Sequence, residues 1–305
     1  MRRPTTWLAL LCGAIASLAG VVAALGLIAR GDGSVVPVTN ERGVTFDMAV
    51  SGVYAHNAER VVAEGIGWDV FTLLVAVPAL LVGAWLVGRG SLRGRLFTLG
   101  VLGYLLYQYL EYSVTWAFGP LFLAFVAIYG GSLVAMLGIV GLLAREGVSG
   151  RFSPGFPRRG WIGLSVTMSL MLSVLWLARI RAALEGDLVG AGLTTETTLT
   201  VQALDLGLVV PVLLVSATLA WRRSDTGYAL VTALSVMFTG MAGAIVGMLL
   251  SAAVVEGAAE VVPIVIFGVA GLLGLVVAVR AHRAVRPLAP VAPHRMAATA
   301  VPMSA

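Results

Sequence analysis

The stretch that decides the fold is GWDVFTLLVAVPALLVGAWLVGRGSLRGRLFTLGVLGYLLYQYLEYSVTW, residues 67–116. It holds two apolar runs joined by a short loop that carries Arg89, Arg93 and Arg95. Neither run alternates as a half-buried strand would, and each has the ~20 residues needed to cross hydrocarbon as a helix. Working outward, eight stretches qualify: roughly Trp7–Ile28, Ile66–Gly88, Leu96–Trp116, Pro120–Ala144, Trp161–Ile180, Leu204–Trp221, Tyr228–Leu250 and Val261–Val279. The fold class expected is an all-alpha polytopic membrane protein with about eight transmembrane helices. One transmembrane domain spans 1–280, residues 31–65 form an outer segment, and 281–305, rich in Ala, Pro, Arg and His, form a disordered cytoplasmic tail. The first run follows Arg2 and Arg3 but continues to Ile28, longer than a signal-peptide core, and is read as a retained helix.

Composition agrees. Of 305 residues, 59% are hydrophobic and 11% charged, with mean hydropathy +0.97. A soluble domain carries about 25% charged residues. All 20 basic residues are arginine, so Schiff-base lysine chemistry is excluded. Cys12 is the single cysteine, which excludes an intramolecular disulfide and a cysteine metal site. No cofactor is called for, since P-loop, GxSxG, HExxH and paired-cysteine patterns are missing from the sequence.

With the N-terminus placed inside, 15 of the 20 arginines fall in cytoplasmic segments and only Arg30, Arg42, Arg60, Arg179 and Arg181 outside. Of the loop carboxylates only Glu146 and Asp225 fall inside. This predicts a bacterial inner-membrane protein with both termini cytoplasmic. The formal charge of +5 is a topology signal, and the expected partners are the bilayer and its anionic lipids, not nucleic acid. Outside, residues 31–65 and 182–203 are long. Phe46–Val62 is read as an amphipathic helix on the surface.

An internal match points to duplication. Val77, Pro78, Leu80, Leu81, Val82, Ala84, Leu86 and Arg89 recur as Val210, Pro211, Leu213, Leu214, Val215, Ala217, Leu219 and Arg222, at a constant offset of 133. This admits two parallel four-helix repeats, with halves 1–144 and 161–280. Pro78 and Pro211 should break their helices and free carbonyls. Gly243 and Gly247 have the spacing of a close helix contact.

Polar residues at membrane depth are the candidate site. Glu111 lies near the outer end of the third run, with Tyr104, Tyr107 and Gln108 at helical spacing behind it. Hydroxyls and the amide there would hold either a carboxylate with a cation or its protonated form. A packed hydrogen-bond network is the alternative. Asp69 and Asp205 are expected to open the second and sixth helices, where they would cap free N–H groups or join Glu111. Glu64, Glu256 and Glu260 would make an acidic vestibule, and Arg179 with Arg181 would pair with an outer carboxylate or recognise a ligand.

The decisive stretch, with ALDLGLVVP and WRRSDTGYAL later, resembles a group of bacterial multi-pass membrane proteins without an assigned activity. The resemblance covers Gly67 to Leu250 and rests on Asp69, Pro78, Arg89, Gly90, Ser91, Arg93, Gly94, Arg95, Tyr104, Tyr107, Asp205, Pro211 and Gly227. It implies an integral membrane architecture and brings no activity with it. Three functions stay open: a membrane accessory, sensor or assembly component with a membrane protein partner; a transporter or channel-like protein for a cation, a proton-coupled or a small polar solute; and an intramembrane lipid-modifying enzyme.

Overall fold

The computed structural model describes residues 5–193 and 196–286. Among them the apolar runs form eight helices: α1 (Thr6–Ile28), α2 (Glu59–Gly88), α3 (Leu92–Thr115), α4 (Phe122–Glu146), α5 (Arg158–Leu184), α6 (Thr200–Trp221), α7 (Asp225–Glu256) and α8 (Val261–Ala284). Large apolar side chains are exposed on many of them, for example Leu10, Leu74, Leu123, Leu170 and Leu272. Such a surface is stable only against lipid, so the chain is a polytopic membrane protein embedded in a bilayer.

Two helices change pitch where proline requires it. Pro78 and Pro211 lack the N–H that would bond the carbonyl one turn back, and the proline ring crowds that carbonyl. The turns before them widen into π-helix at Thr72–Ala76 in α2 and Asp205–Val209 in α6. Local geometry repeats elsewhere at the same offset. Ser91 caps α3 by accepting from the Gly94 N–H at 3.1 Å, and Ser224 caps α7 by accepting from the Gly227 N–H at 3.0 Å. Gly90 and Arg223, just before those caps, both have positive φ.

Two expectations about the membrane are corrected here. Seven of the eight helices are both long and apolar enough to cross a bilayer, and α3 falls outside that set. Its tyrosines, Gln108 and Glu111 lower its hydropathy, and it is buried by protein along most of its length. Seven sequential crossings are an odd number. By that count the two termini lie on opposite sides, and the expected arrangement with both termini cytoplasmic does not hold. The one-sided arginine excess requires eight crossings.

α3 packs against α2, α4 and α7, and α7 packs against α2, α3, α6 and α8. α1 lies on α2 and α4, while α5 lies on α6 and, more sparsely, on α8. Glycines set the closest approaches. A Cβ at Gly67 would land on the Gly247 carbonyl and the Met248 Cα, and one at Gly243 would meet the Phe71 ring. The Gly243 and Gly247 spacing therefore seats α2 on α7.

Between α1 and α2 the expected surface helix is replaced by an antiparallel hairpin, β1 (Val35–Thr39) and β2 (Thr45–Ala49). Asn40 Oδ1 accepts from the N–H groups of Arg42 and Val44, and Gly43 takes φ +79° to close the turn. At the hairpin's root the Asp32 carboxylate accepts from Ser34 and Ser51, and these bonds hold it well below the usual carboxylate range. Part of the expected tail is ordered: the Arg286 N–H donates to the Arg151 carbonyl at 2.7 Å. Its remainder, 287–305, lies outside the described residues.

Replacing Gly67 by Leu should cost about 1–3 kcal/mol by overpacking backbone against backbone. Gly163→Ala, which meets open space, should leave stability unchanged or slightly raised. Thermal unfolding of the two detergent-purified variants checks this, and equal midpoints would show that the α2–α7 contact is not tight.

Candidate functional site

α3 is the polar helix of the bundle, and its tyrosines bond the two π turns. The Tyr104 hydroxyl shares a 3.0 Å hydrogen bond with Thr72 Oγ1, at the first residue of the π turn in α2. The Tyr107 hydroxyl donates to Asp205 Oδ1, at the first residue of the π turn in α6. The second oxygen of Asp205 accepts from Trp176 Nε1 of α5 at 2.8 Å. One turn of α3 thus reaches α2 and α6.

Asp69 sits one turn before Thr72, deep inside α2, because that helix begins at Glu59 and not near Ile66. Asp205 likewise lies within α6. Neither carboxylate caps a helix. Asp69 accepts from the Tyr54 hydroxyl at 2.6 Å, and Tyr54 is itself buried edge-on to Trp116, which stacks on Tyr112. Gly26 of α1 leaves room for this pair, since a Cβ there would collide with both Asp69 and Tyr54.

Glu111 differs from both aspartates. It is half-buried, and its carboxylate has no hydrogen bond or ion pair among the described residues. Asp205, Glu64 and Glu196 are the carboxylates near enough to act on it electrostatically. One turn before it, Gln108 is 1% exposed, and neither end of its amide has a partner. One turn before Asp205, the buried Gln202 also leaves its carbonyl oxygen unpaired. Buried polar atoms without partners are rare and costly in a native protein.

Arg42, on the β-hairpin turn, donates to the carbonyls of Glu196 and Thr197, at 3.2 and 2.6 Å. Glu196 is pushed up to about 7, first by burial and then by the charge of Glu64. Arg60 gathers the expected vestibule: it pairs with Glu64 at 2.9 Å, with Glu260 at 2.6 Å and with Glu256.

Arg179 does not join the cluster directly. Its guanidinium lies over the Trp176 ring at 5.4 Å, and Arg181 pairs with Glu185, just past the end of the same helix, at 3.6 Å. Of the candidates, Tyr107, Asp205 and Glu111 are brought together, Tyr104 and Asp69 occupy the neighbouring α2 side, and Arg179 stands behind Trp176. Sequence reasoning missed Tyr54, Thr72 and Trp176. The first lies in an irregular segment and the other two within apolar runs, and only tertiary contact reveals their role. Among the described residues no three His, Cys, Asp or Glu side chains are grouped to hold a metal ion.

These features define a class: an all-α, multi-pass membrane protein with an internal polar cluster beside two π turns. No family model matches the chain, and no curated protein or solved structure is similar to it. The resemblance over residues 67–250 therefore stands on the multi-pass all-α architecture alone, and the bacterial grouping gains no support from these comparisons.

Two predictions follow from the geometry. Tyr107→Phe and Asp205→Asn should each destabilise the protein. Combined in a double-mutant cycle they should show a coupling of about 0.5–2 kcal/mol, and a coupling of zero would mean the bond contributes nothing. The second concerns Glu196. Its folded state keeps the proton to a higher pH than the unfolded chain does, so its contribution favours folding below the usual carboxylate pKa. That contribution is lost as pH rises from about 4.5 to about 7. Unfolding midpoints across that window should fall less for Glu196→Gln than for the parent protein, and identical slopes would remove the burial explanation.

Proposed function

We propose that this protein is a transporter or channel-like protein that binds a proton or a small cation at Glu111 on its way through the bundle. The single observation that carries this reading is an unpaired carboxylate within electrostatic reach of three others, one turn from a buried amide with unfilled hydrogen-bonding capacity. An ionisable group at membrane depth is costly and is retained where ions or protons are handled. The π turns fit the same role, because they loosen the backbone of α2 and α6 beside the cluster. The accessory and lipid-modifying readings use none of these groups.

The bundle divides naturally into two halves, α1–α4 and α5–α8. What supports the division is the offset of 133, shared by the proline segments, the π turns, the serine caps and the positive-φ residues before them. Neighbour pairs also correspond: α1–α2 with α5–α6, α3–α4 with α7–α8, and α2–α7 with α6–α3. Under this relation Thr72 corresponds to Asp205 and Asp69 to Gln202. The carboxylates have diverged between the halves while the backbone breaks have stayed. A site between α3 and α6 is then a specialised interface between halves. Anionic headgroups are the proposed counter-ions of the arginines at the opposite end.

The test is proton and sodium flux into proteoliposomes loaded with a pH-sensitive or sodium-sensitive dye under an imposed potential. The parent protein should give flux above empty vesicles, and Glu111→Gln should reduce it about tenfold or more while reconstituting equally well. Equal flux in both would remove Glu111 from the pathway. Loss on Asp69→Asn alone would move the site to the α2 side.

A further inference from the structure

We infer that the groove between α5 and α8 is a binding site for one anionic membrane lipid, with its phosphate among Arg158, Arg159 and Arg280 and an acyl chain along the helices. The groove has a volume of about 650 Å³ and is walled below those arginines by Gly163, Leu273 and Val276. None of the three guanidinium groups has a carboxylate or carbonyl partner among the described residues. Other arginines at this end do: Arg95 pairs with Glu146, and Arg93 donates to the Val285 carbonyl at 3.0 Å. The groove therefore concentrates unneutralised positive charge, while Glu146 is engaged elsewhere and Asp225 accepts from the Gly150 N–H.

The shape argues for a lipid and against a free anion. Charge occupies only the end of the groove, at the first turn of the 27-residue α5, where the helix dipole also favours a phosphate. Apart from Thr167 the rest is apolar and faces the surrounding hydrocarbon, with Leu273 and Val276 each 54% exposed. Glycine keeps it open: a Cβ at Gly163 would meet nothing within 4 Å. The corresponding seam in the first half is shut, because Trp7 and Leu8 of α1 pack onto Gly138 of α4. A basic pocket between transmembrane helices at the membrane boundary is the usual setting for a phospholipid headgroup.

The experiment is native mass spectrometry of the full chain after exchange into detergent with phosphatidylglycerol or phosphatidylcholine. The parent protein should retain one phosphatidylglycerol in preference to phosphatidylcholine. The triple variant Arg158→Gln/Arg159→Gln/Arg280→Gln should lose roughly fivefold per arginine, hence about a hundredfold in retention. Gly163→Trp, which fills the chain channel and keeps the arginines, should also release the lipid. Arg222→Gln/Arg223→Gln, at the same end but outside the groove, should retain it. Equal retention by the triple variant, equal retention of the two lipids, or displacement by inorganic phosphate alone would each overturn the proposal.

Discussion

Everything in this molecule follows from the need to enclose a polar helix within a bundle whose outer surface faces lipid. α3 carries four tyrosines, Gln108 and Glu111 within a membrane-length helix, and lipid offers none of them a hydrogen bond. The other helices must enclose it and supply the partners. Tyr104 and Tyr107 find theirs in two neighbours at once, which ties α2 and α6 to the same turn of α3. The remaining α3 tyrosines, Tyr109 and Tyr112, pack on Phe125 of α4 and close the third side. The apolar helices then need only face outward.

The solution also explains why charge is distributed unequally over the two ends. At the hairpin end acidic groups gather around Glu111, and a single guanidinium, Arg60, joins α2 to α7 and the turn before α8. Arg42 carries the hairpin across to the loop before α6. At the other end arginines outnumber their partners, and the surplus collects where α5 and α8 stand apart. Each end therefore carries a different charge, carboxylates around Arg60 at one and unpaired arginines at the other.

Much of the architecture was legible in the sequence because hydrophobic length is a strong signal. Pro78 and Pro211 announced broken helices, and Glu111 marked the polar interior. The form of the break was not readable, since proline removes a backbone hydrogen bond without dictating how the turn before it rearranges. Helix starts differ for a local reason: Arg60 and Glu64 read as parts of the outer segment, Arg60 within its surface helix, yet they pair at i, i+4 and extend α2 outward. That shift turns Asp69 from a cap into a buried acceptor. The hairpin was missed because its strands are short and their alternation weak. The turn chemistry of Asn40 and Gly43 was the available clue. The count of crossings failed on α3, whose burial by protein let it be less apolar than a lipid-facing span.

The π turn in α2 has one more consequence. It holds one residue more than the α-helical turn it replaces, and one residue corresponds to roughly 100° of rotation about the helix axis. The segment carrying Trp68 and Asp69 is therefore indexed separately from the segment carrying Leu80, Gly83 and Ala84, although both belong to one continuous rod. Deleting a single residue between 72 and 76 would remove the extra residue of the π turn and swing Asp69 away from Tyr54 while leaving the lower face in place. The extra residue acts as a phase setting, and a helix with such a setting can present two unrelated faces along its length.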